Sequence, residues 1–276
     1  MSAAPLLAPD EPPPFEIVNP HGRSRAVITC DHASNRMPRA LGTLGLAPEQ
    51  LRLHVAWDIG ASILAERLAE ILDAPLVRSS YSRLAIDLNR PLASPSSIPP
   101  QSEVVRVPGN ENLAPEEARR RADALFRPYH DALGRLLDDR LRRPTVPAYL
   151  AMHSFTPVYF GEARHVELCV AWRHDDRLAR LLLPRLQADG RLKVVANDPF
   201  RITLEGDYGI PYQAEARGLP CVMIELRQDL IERGGDARAW GERLAAVIGP
   251  LLDHPSLSDR REPPEELPAG MARSRI

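Results

Sequence analysis

Four short apolar runs in this chain each deliver side chains able to bind a metal, move a proton or grip an anion. After "AVITC" (26–30) come Asp31 and His32, after "RLAI" (83–86) come Asp87, Asn89 and Arg90, and after "YLAM" (149–152) comes His153. Glu225 lies inside the fourth, "CVMIEL" (221–226). One histidine at a strand end is ordinarily an edge residue satisfied by a hydrogen bond. Two of them, with a glutamate in the most apolar run of the chain, point further. A buried carboxylate is costly unless a metal, a proton or a partner compensates it. The set matches metal-assisted hydrolysis: two imidazoles and a carboxylate commonly hold a catalytic zinc, and the ion brings the pKa of water toward neutrality. A glutamate outside the ligand set can then take a proton and return it to a leaving amine. His32 and His153 are therefore expected to bind one zinc ion, with Glu225 as the base.

The third ligand has competing candidates. Asp58 in "HVAWDIGAS" is favoured, although its place just before a helix also suits an N-cap. Asn35, three residues after His32, stands where many zinc hydrolases carry glutamate, but a neutral amide is a poor ligand. His54 is a further metal or supporting candidate. Ser154, next to His153, lacks the G-x-S-x-G setting of a nucleophile. Tyr208, in the glycine-bounded "EGDYGIPYQAEARG", is placed to close over a substrate, and Asn110 to line the site. His130 reads as a helix histidine. Asp87 has a plainer reading as the partner of a surface Arg90.

These residues need a scaffold, and the apolar pattern supplies one. Residues 26–30, 74–78, 149–152, 166–171, 193–197 and 221–226 read as buried strands, and 60–72, 114–141, 175–187 and 237–252 as helices, the long one bending at Pro128. Leu84, Ala85 and Ile86 read as the end of one more buried strand. Alternating strands and helices predict a single α/β domain with a mostly parallel or mixed central sheet flanked by helices. Open sheets of this kind bind ligands at the carboxyl ends of their strands, where the candidate residues gather. Residues 1–14 form a Pro-rich arm and 255–276 a tail rich in proline and charge; both are expected to be mobile, leaving 15–254 as the catalytic domain.

Composition narrows the function classes. The 276 residues carry 35 Lys and Arg against 37 Asp and Glu, a formal charge of −2, which argues against a nucleic-acid surface. Lys193 is the only lysine, so anion recognition has to come from arginines. Cys30, Cys169 and Cys221 sit in apolar runs without CxxC pairing, as expected of buried thiols in a reducing cytoplasm. No signal-peptide pattern or membrane-length run is present, so a soluble cytoplasmic protein is expected.

In order along the chain, "CDHASNRMP", "WDIGAS", "SRLAIDLNRP", "MHSFTP" and "IELRQDLI" resemble the N-formylglutamate amidohydrolase family over about residues 24–250. More distantly, the order His32, Arg83, "DLNR", His153, Glu225 is similar to aspartoacylases and zinc carboxypeptidases. The resemblance implies a phosphorylase/hydrolase-like fold and a zinc amidohydrolase that removes a formyl or other small acyl group from an N-acyl amino acid. It further implies that Asn89 and Arg90 clamp the substrate carboxylate, that Arg83 polarises the scissile carbonyl, and that Glu225 is the general base. The chain departs from the HxxE pattern of those relatives at Asn35. A carboxypeptidase-like peptide hydrolase and a non-catalytic metal- or metabolite-binding protein are the rival expectations.

Overall fold

The computed structural model describes residues 5–188 and 190–267. Eleven strands occur among them: β1 (Phe15–Val18), β2 (Ala26–Cys30), β3 (Leu76–Ser79), β4 (Gln101–Ser102), β5 (Val105–Arg106), β6 (Ala148–Phe155), β7 (Val158–Tyr159), β8 (Glu162–Ala163), β9 (Leu168–Ala171), β10 (Val194–Ala196) and β11 (Cys221–Arg227). The α-helices are α1 (Ala61–Leu72), α2 (Pro115–Arg121), α3 (Arg127–Leu141), α4 (Arg177–Gln187) and α5 (Gly234–Leu252). Seven strands form one sheet in the order β1-β3-β2-β6-β11-β9-β10, while β4-β5 and β7-β8 are separate two-stranded ribbons. The four central strands β3, β2, β6 and β11 run parallel, and β1 and the β9-β10 pair run opposite to them. The sheet is mixed, as the sequence pattern predicts.

Strand alternation divides the core between two faces. Along β6, Ala148, Leu150 and Met152 pack with α1, α4 and α5, whereas Tyr149 and Ala151 pack with α3 and the segments beside it. Along β11, Val222, Ile224 and Leu226 belong to the first face, and Cys221 and Met223 to the second. His153 and Glu225 continue the second series. They are Cα partners in the β6-β11 register, so the two side chains emerge side by side at the carboxyl end of the sheet.

The long helical run stays continuous through Pro128 because a π-helical turn over Ala122–Phe126 precedes it, placing the proline in the first turn of α3, where its missing N–H costs no helical bond. β1 is a short strand at the sheet edge that the apolar runs do not flag. The described portions of both chain ends are packed on the domain. Leu6 is 2% exposed, Tyr81 donates its hydroxyl to Pro12 O at 2.7 Å, Leu257 is fully buried, and Arg261 N donates to Gly218 O at 2.9 Å. Residues 1–4 and 268–276 of the expected mobile ends lie outside the described residues.

Candidate active site

The loop after β2 carries the first histidine and the helix entry carries its carboxylate. Asp58 N donates to His32 O at 2.9 Å, tying the two segments together. Two residues on, Gly60 turns the chain into α1 with φ +80°, and a Cβ there would stand 2.2 Å from Ile231 O. Only glycine suits that turn. Asp58 makes no N-cap bond, since Gly60 holds the cap position of α1. Its Oδ2 instead accepts from His153 Nδ1 at 2.9 Å and Ser154 N at 3.2 Å, and lies 3.4 Å from His32 Nδ1. Donor atoms of His32, Asp58 and His153 all fall within 4.8 Å of one another, and all three residues are buried.

The other ring nitrogen of each histidine faces a carboxylate. His32 Nε2 lies 2.7 Å from Asp87 Oδ1, and His153 Nε2 lies 3.8 Å from Asp31 Oδ2. Both carboxylates are themselves fixed. Asp87 Oδ2 accepts from Arg83 Nε at 3.0 Å and Nη2 at 2.6 Å, Asp87 Oδ1 accepts from Asn89 N at 2.9 Å, and the Tyr129 hydroxyl donates to Asp31. A proton on Nε2 of each ring would leave each Nδ1 lone pair facing Asp58, the orientation by which outer carboxylates prepare histidines for a metal. His153 Nε2 and Asp31 Oδ2 have no hydrogen-bond partner among the described residues. Two neutral imidazoles and one carboxylate, converging from three segments, fit a catalytic zinc.

Charge at the centre is strongly organised. Burial opposes ionisation of Asp58, but His32 and His153 hold its carboxyl well below the usual range. Burial likewise opposes the charged form of His153, yet its hydrogen bond to Asp58, with Glu225 and Asp31 nearby, raises its pKa to about 9 in the metal-free protein. Glu225 is raised to about 7, because burial outweighs the attraction of His153. Asp87 is also buried, and Arg83 and His32 hold it ionised.

These groups open onto a cavity of about 480 Å³ whose wall includes His32, Asp58, Arg83, Arg90, His153 and Glu225. Arg83 Nη1 also lies 3.6 Å from Asp58 Oδ1. The "SRLAI" stretch is no strand: it is a turn in which Ser82 Oγ donates to Ala56 O at 2.7 Å and Ala85 N donates to Ser82 O at 3.0 Å. Its apolar side chains are buried in turn geometry. Asp87 therefore pairs with Arg83 and His32, whereas Arg90 reaches only its backbone, through Arg90 N to Asp87 O at 3.3 Å.

Asn89 lines the cavity with its amide already engaged: Nδ2 donates to Asp207 Oδ1 at 3.2 Å, and Oδ1 accepts from Tyr208 N at 3.0 Å and Gly209 N at 2.9 Å. It tethers the 203–209 loop. Arg90 Nη1 donates to Asn89 O at 3.1 Å and stands 3.7 Å from Asp207 Oδ1. Tyr208 is turned away from the expected lid role: it is not among the cavity-lining residues, and its ring packs on His130 at 4.3 Å and Phe126 at 4.9 Å. Its neighbour Asp207 lines the cavity instead. His130 is kept neutral by burial, its pKa lowered to about 4, and bonds through Nε2 to Leu88 O at 2.7 Å, bracing the "DLNR" turn from behind.

The rival ligands are occupied elsewhere. Asn35 Nδ2 donates to Leu51 O at 3.0 Å, and His54 Nε2 lies 2.9 Å from Glu103 Oε2 on the cavity wall. Asn110 is a brace, donating to Leu84 O and Pro99 O and accepting from Arg121. Sequence reading assigned Asp31 no role and Asp87 only that of a partner to Arg90, although both stand within the family motifs; Asp207 carried no comparable signal.

A model of the N-formylglutamate amidohydrolase family matches residues 24–232. Among curated proteins none matches the chain. Among solved structures, a gene product of Agrobacterium tumefaciens is similar at 35% identity and a TM-score of 0.86, covering 90% of this chain and 98% of that one. An N-formylglutamate amidohydrolase from Ralstonia eutropha is similar in fold, at 20% identity and a TM-score of 0.64 over 87% of this chain and 97% of its own. The family match spans all five motifs up to the opening of α5 and encloses His32, Asp58, Arg83, His153 and Glu225. The chain belongs to the N-formylglutamate amidohydrolase family.

Proposed function

We propose that this protein is a zinc-dependent amidohydrolase that removes a formyl or other small acyl group from an N-acyl amino acid. The observation that carries the reading is the convergence of His32, Asp58 and His153 in a cavity wall beside Glu225, the cross-strand neighbour of His153. His32, Asp58 and His153 would hold one ion. When bound, zinc supplies Lewis acidity, which makes water nucleophilic near neutral pH and polarises an amide carbonyl.

The chain's own groups supply the rest. Glu225, buried and poised near neutrality, takes the proton of the attacking water and returns it to the departing amine nitrogen. Arg83, held rigid by Asp87, presents Nη1 toward the centre, where it stabilises charge developing on the carbonyl oxygen. Arg90 gives the substrate α-carboxylate a planar charged donor, and Asn89 sets the turn that carries it. The three cysteines, buried and unpaired, fit a reducing cytoplasm.

Metal analysis of the purified protein, combined with an amine-release screen over N-formyl, N-acetyl and larger N-acyl amino acids, tests the proposal. About one zinc per chain and turnover of at least one substrate class are expected. Bound metal with no turnover across the panel would contradict the enzymatic reading.

A further inference from the structure

The amino end of the sheet carries a second cavity, of about 580 Å³. β2 and β6 run parallel, so Arg25 and Pro147, which precede them, lie at the end opposite His32 and His153. Part of the wall is basic: Arg23 and Arg25 enter it from the turn before β2, and Arg140 and Arg143 from the end of α3. Asp253 is the single acid among the lining residues. Another part is apolar, with Ile71 and Leu72 at the end of α1 and Leu252 at the end of α5.

Two of the four cations also serve the fold. Arg25 donates to Val146 O at 2.8 Å, to Leu252 O at 2.7 Å and to Leu257 O, and Arg140 donates to Gly22 O and Ser24 O. Carbonyls accept these bonds without cancelling the charge, and neither guanidinium has an ion-pair partner among the described residues. Arg140 is 2% exposed, and its Nε has no hydrogen-bond partner among the described residues. Burial lowers the pKa of both, and at Arg140 the neighbouring Arg143 adds to the effect. Arg23 pairs with Asp73 at 2.9 Å, whereas Arg143 makes no ion pair and no side-chain hydrogen bond among the described residues.

Guanidinium groups gathered around one carboxylate attract anions, and half-buried charge of this kind is costly until a counter-charge arrives. Donors converging from two segments suit the several oxygens of a phosphate, whereas a planar carboxylate is satisfied by one fork. The apolar part of the wall rewards burial of carbon beside that head. Of the large apolar side chains exposed on the described surface, only Ile71 belongs to this wall, which is too little for a membrane-binding face.

We infer that this cavity binds a soluble phosphate monoester with a short apolar body, its head held by Arg25 and Arg143 beside the charge of Arg140, and its carbon chain against Ile71 and Leu252. The site is separate from the catalytic centre and does not depend on the amidohydrolase reading.

Isothermal titration calorimetry with hexyl phosphate and inorganic phosphate, at fixed ionic strength, tests the site. The parent protein is expected to bind hexyl phosphate at least about tenfold more tightly than inorganic phosphate, the scale of two buried methylenes. Arg143→Met should weaken both probes by about tenfold, as loss of one charged hydrogen bond does. Ile71→Gln should reduce the advantage of the hexyl chain to within about threefold and leave inorganic phosphate unchanged. Both positions are exposed, and equal melting temperatures would verify that the fold is kept. Arg90→Met, in the catalytic cavity, should leave both affinities in place. Sedimentation with vesicles of phosphatidylcholine and phosphatidic acid distinguishes a free ester from a lipid headgroup, and the protein is expected to stay in the supernatant. No binding of hexyl phosphate, no advantage over inorganic phosphate, loss in Arg90→Met with retention in Arg143→Met, or sedimentation with the vesicles would overturn the inference.

Discussion

Asp31 and Asp87 would form the outer layer of the proposed metal centre. Each faces the Nε2 of one histidine, and each is anchored in turn, Asp31 by Tyr129 and Asp87 by Arg83 and Asn89 N. Replacing Asp31 by Asn keeps the size of the side chain but removes the charge that faces His153 Nε2 at 3.8 Å. Zinc affinity, measured by chelator competition, is expected to fall about 10–100-fold in Asp31→Asn with the fold retained. Asp58→Asn should cost more, because a neutral amide is a poor ligand and the two imidazoles lose the anion between them. Unchanged affinity in Asp58→Asn would return that residue to a structural role. The two histidines were legible as residue types after apolar runs, and Asp58 as an acid just before a helix. Their outer partners were not, because Asp31–His153 and Asp87–His32 are contacts between segments distant in sequence.

At the scale of elements, the unbroken apolar runs of β6 and β11 made the buried strands readable, but not their pairing, which brings His153 and Glu225 out side by side. The turn over residues 82–87 was misread for a physical reason. Three apolar residues in a row satisfy a strand pattern, but here they are buried by a loop whose polar backbone is satisfied by Ser82, Ala56 and Ser97. Tyr208 failed in the same way, since a glycine-flanked loop tyrosine looks free until the stack on His130 and Phe126 is seen. Gly60 offers a test of how the entry to α1 places Asp58. Gly60→Ala combines an unfavourable positive φ with a clash against Ile231 O. Denaturant unfolding should show a loss of more than about 1 kcal/mol, accompanied by weaker zinc binding. Parent-like stability and affinity would show that this turn tolerates a side chain.

The whole molecule couples its stability to the protonation of this centre. In the metal-free protein His153 is raised from 6.5 to about 9, so its stabilising contribution is complete below pH 6.5 and is lost as pH rises through 9. Glu225, raised from 4.5 to about 7, favours the folded state only in its protonated form, so its contribution fades between those values. His130, lowered from 6.5 to about 4, acts the other way but only below pH 6.5; above that both groups of the centre act in one direction, and the melting temperature of the metal-free protein should fall from pH 6.5 to pH 9. Zinc should stabilise increasingly over the same interval, because its binding displaces the proton on His153. A flat metal-free profile would contradict the assigned protonation. The chemical claim rests finally on Glu225, and the most direct measurement is the turnover of Glu225→Gln alongside its zinc content. The substitution keeps shape and hydrogen bonding but cannot accept the proton. Parent-like zinc content with turnover reduced about 10²–10⁴-fold is the predicted result. A zinc-replete Glu225→Gln protein that hydrolyses N-acyl amino acids at nearly the parent rate would contradict it.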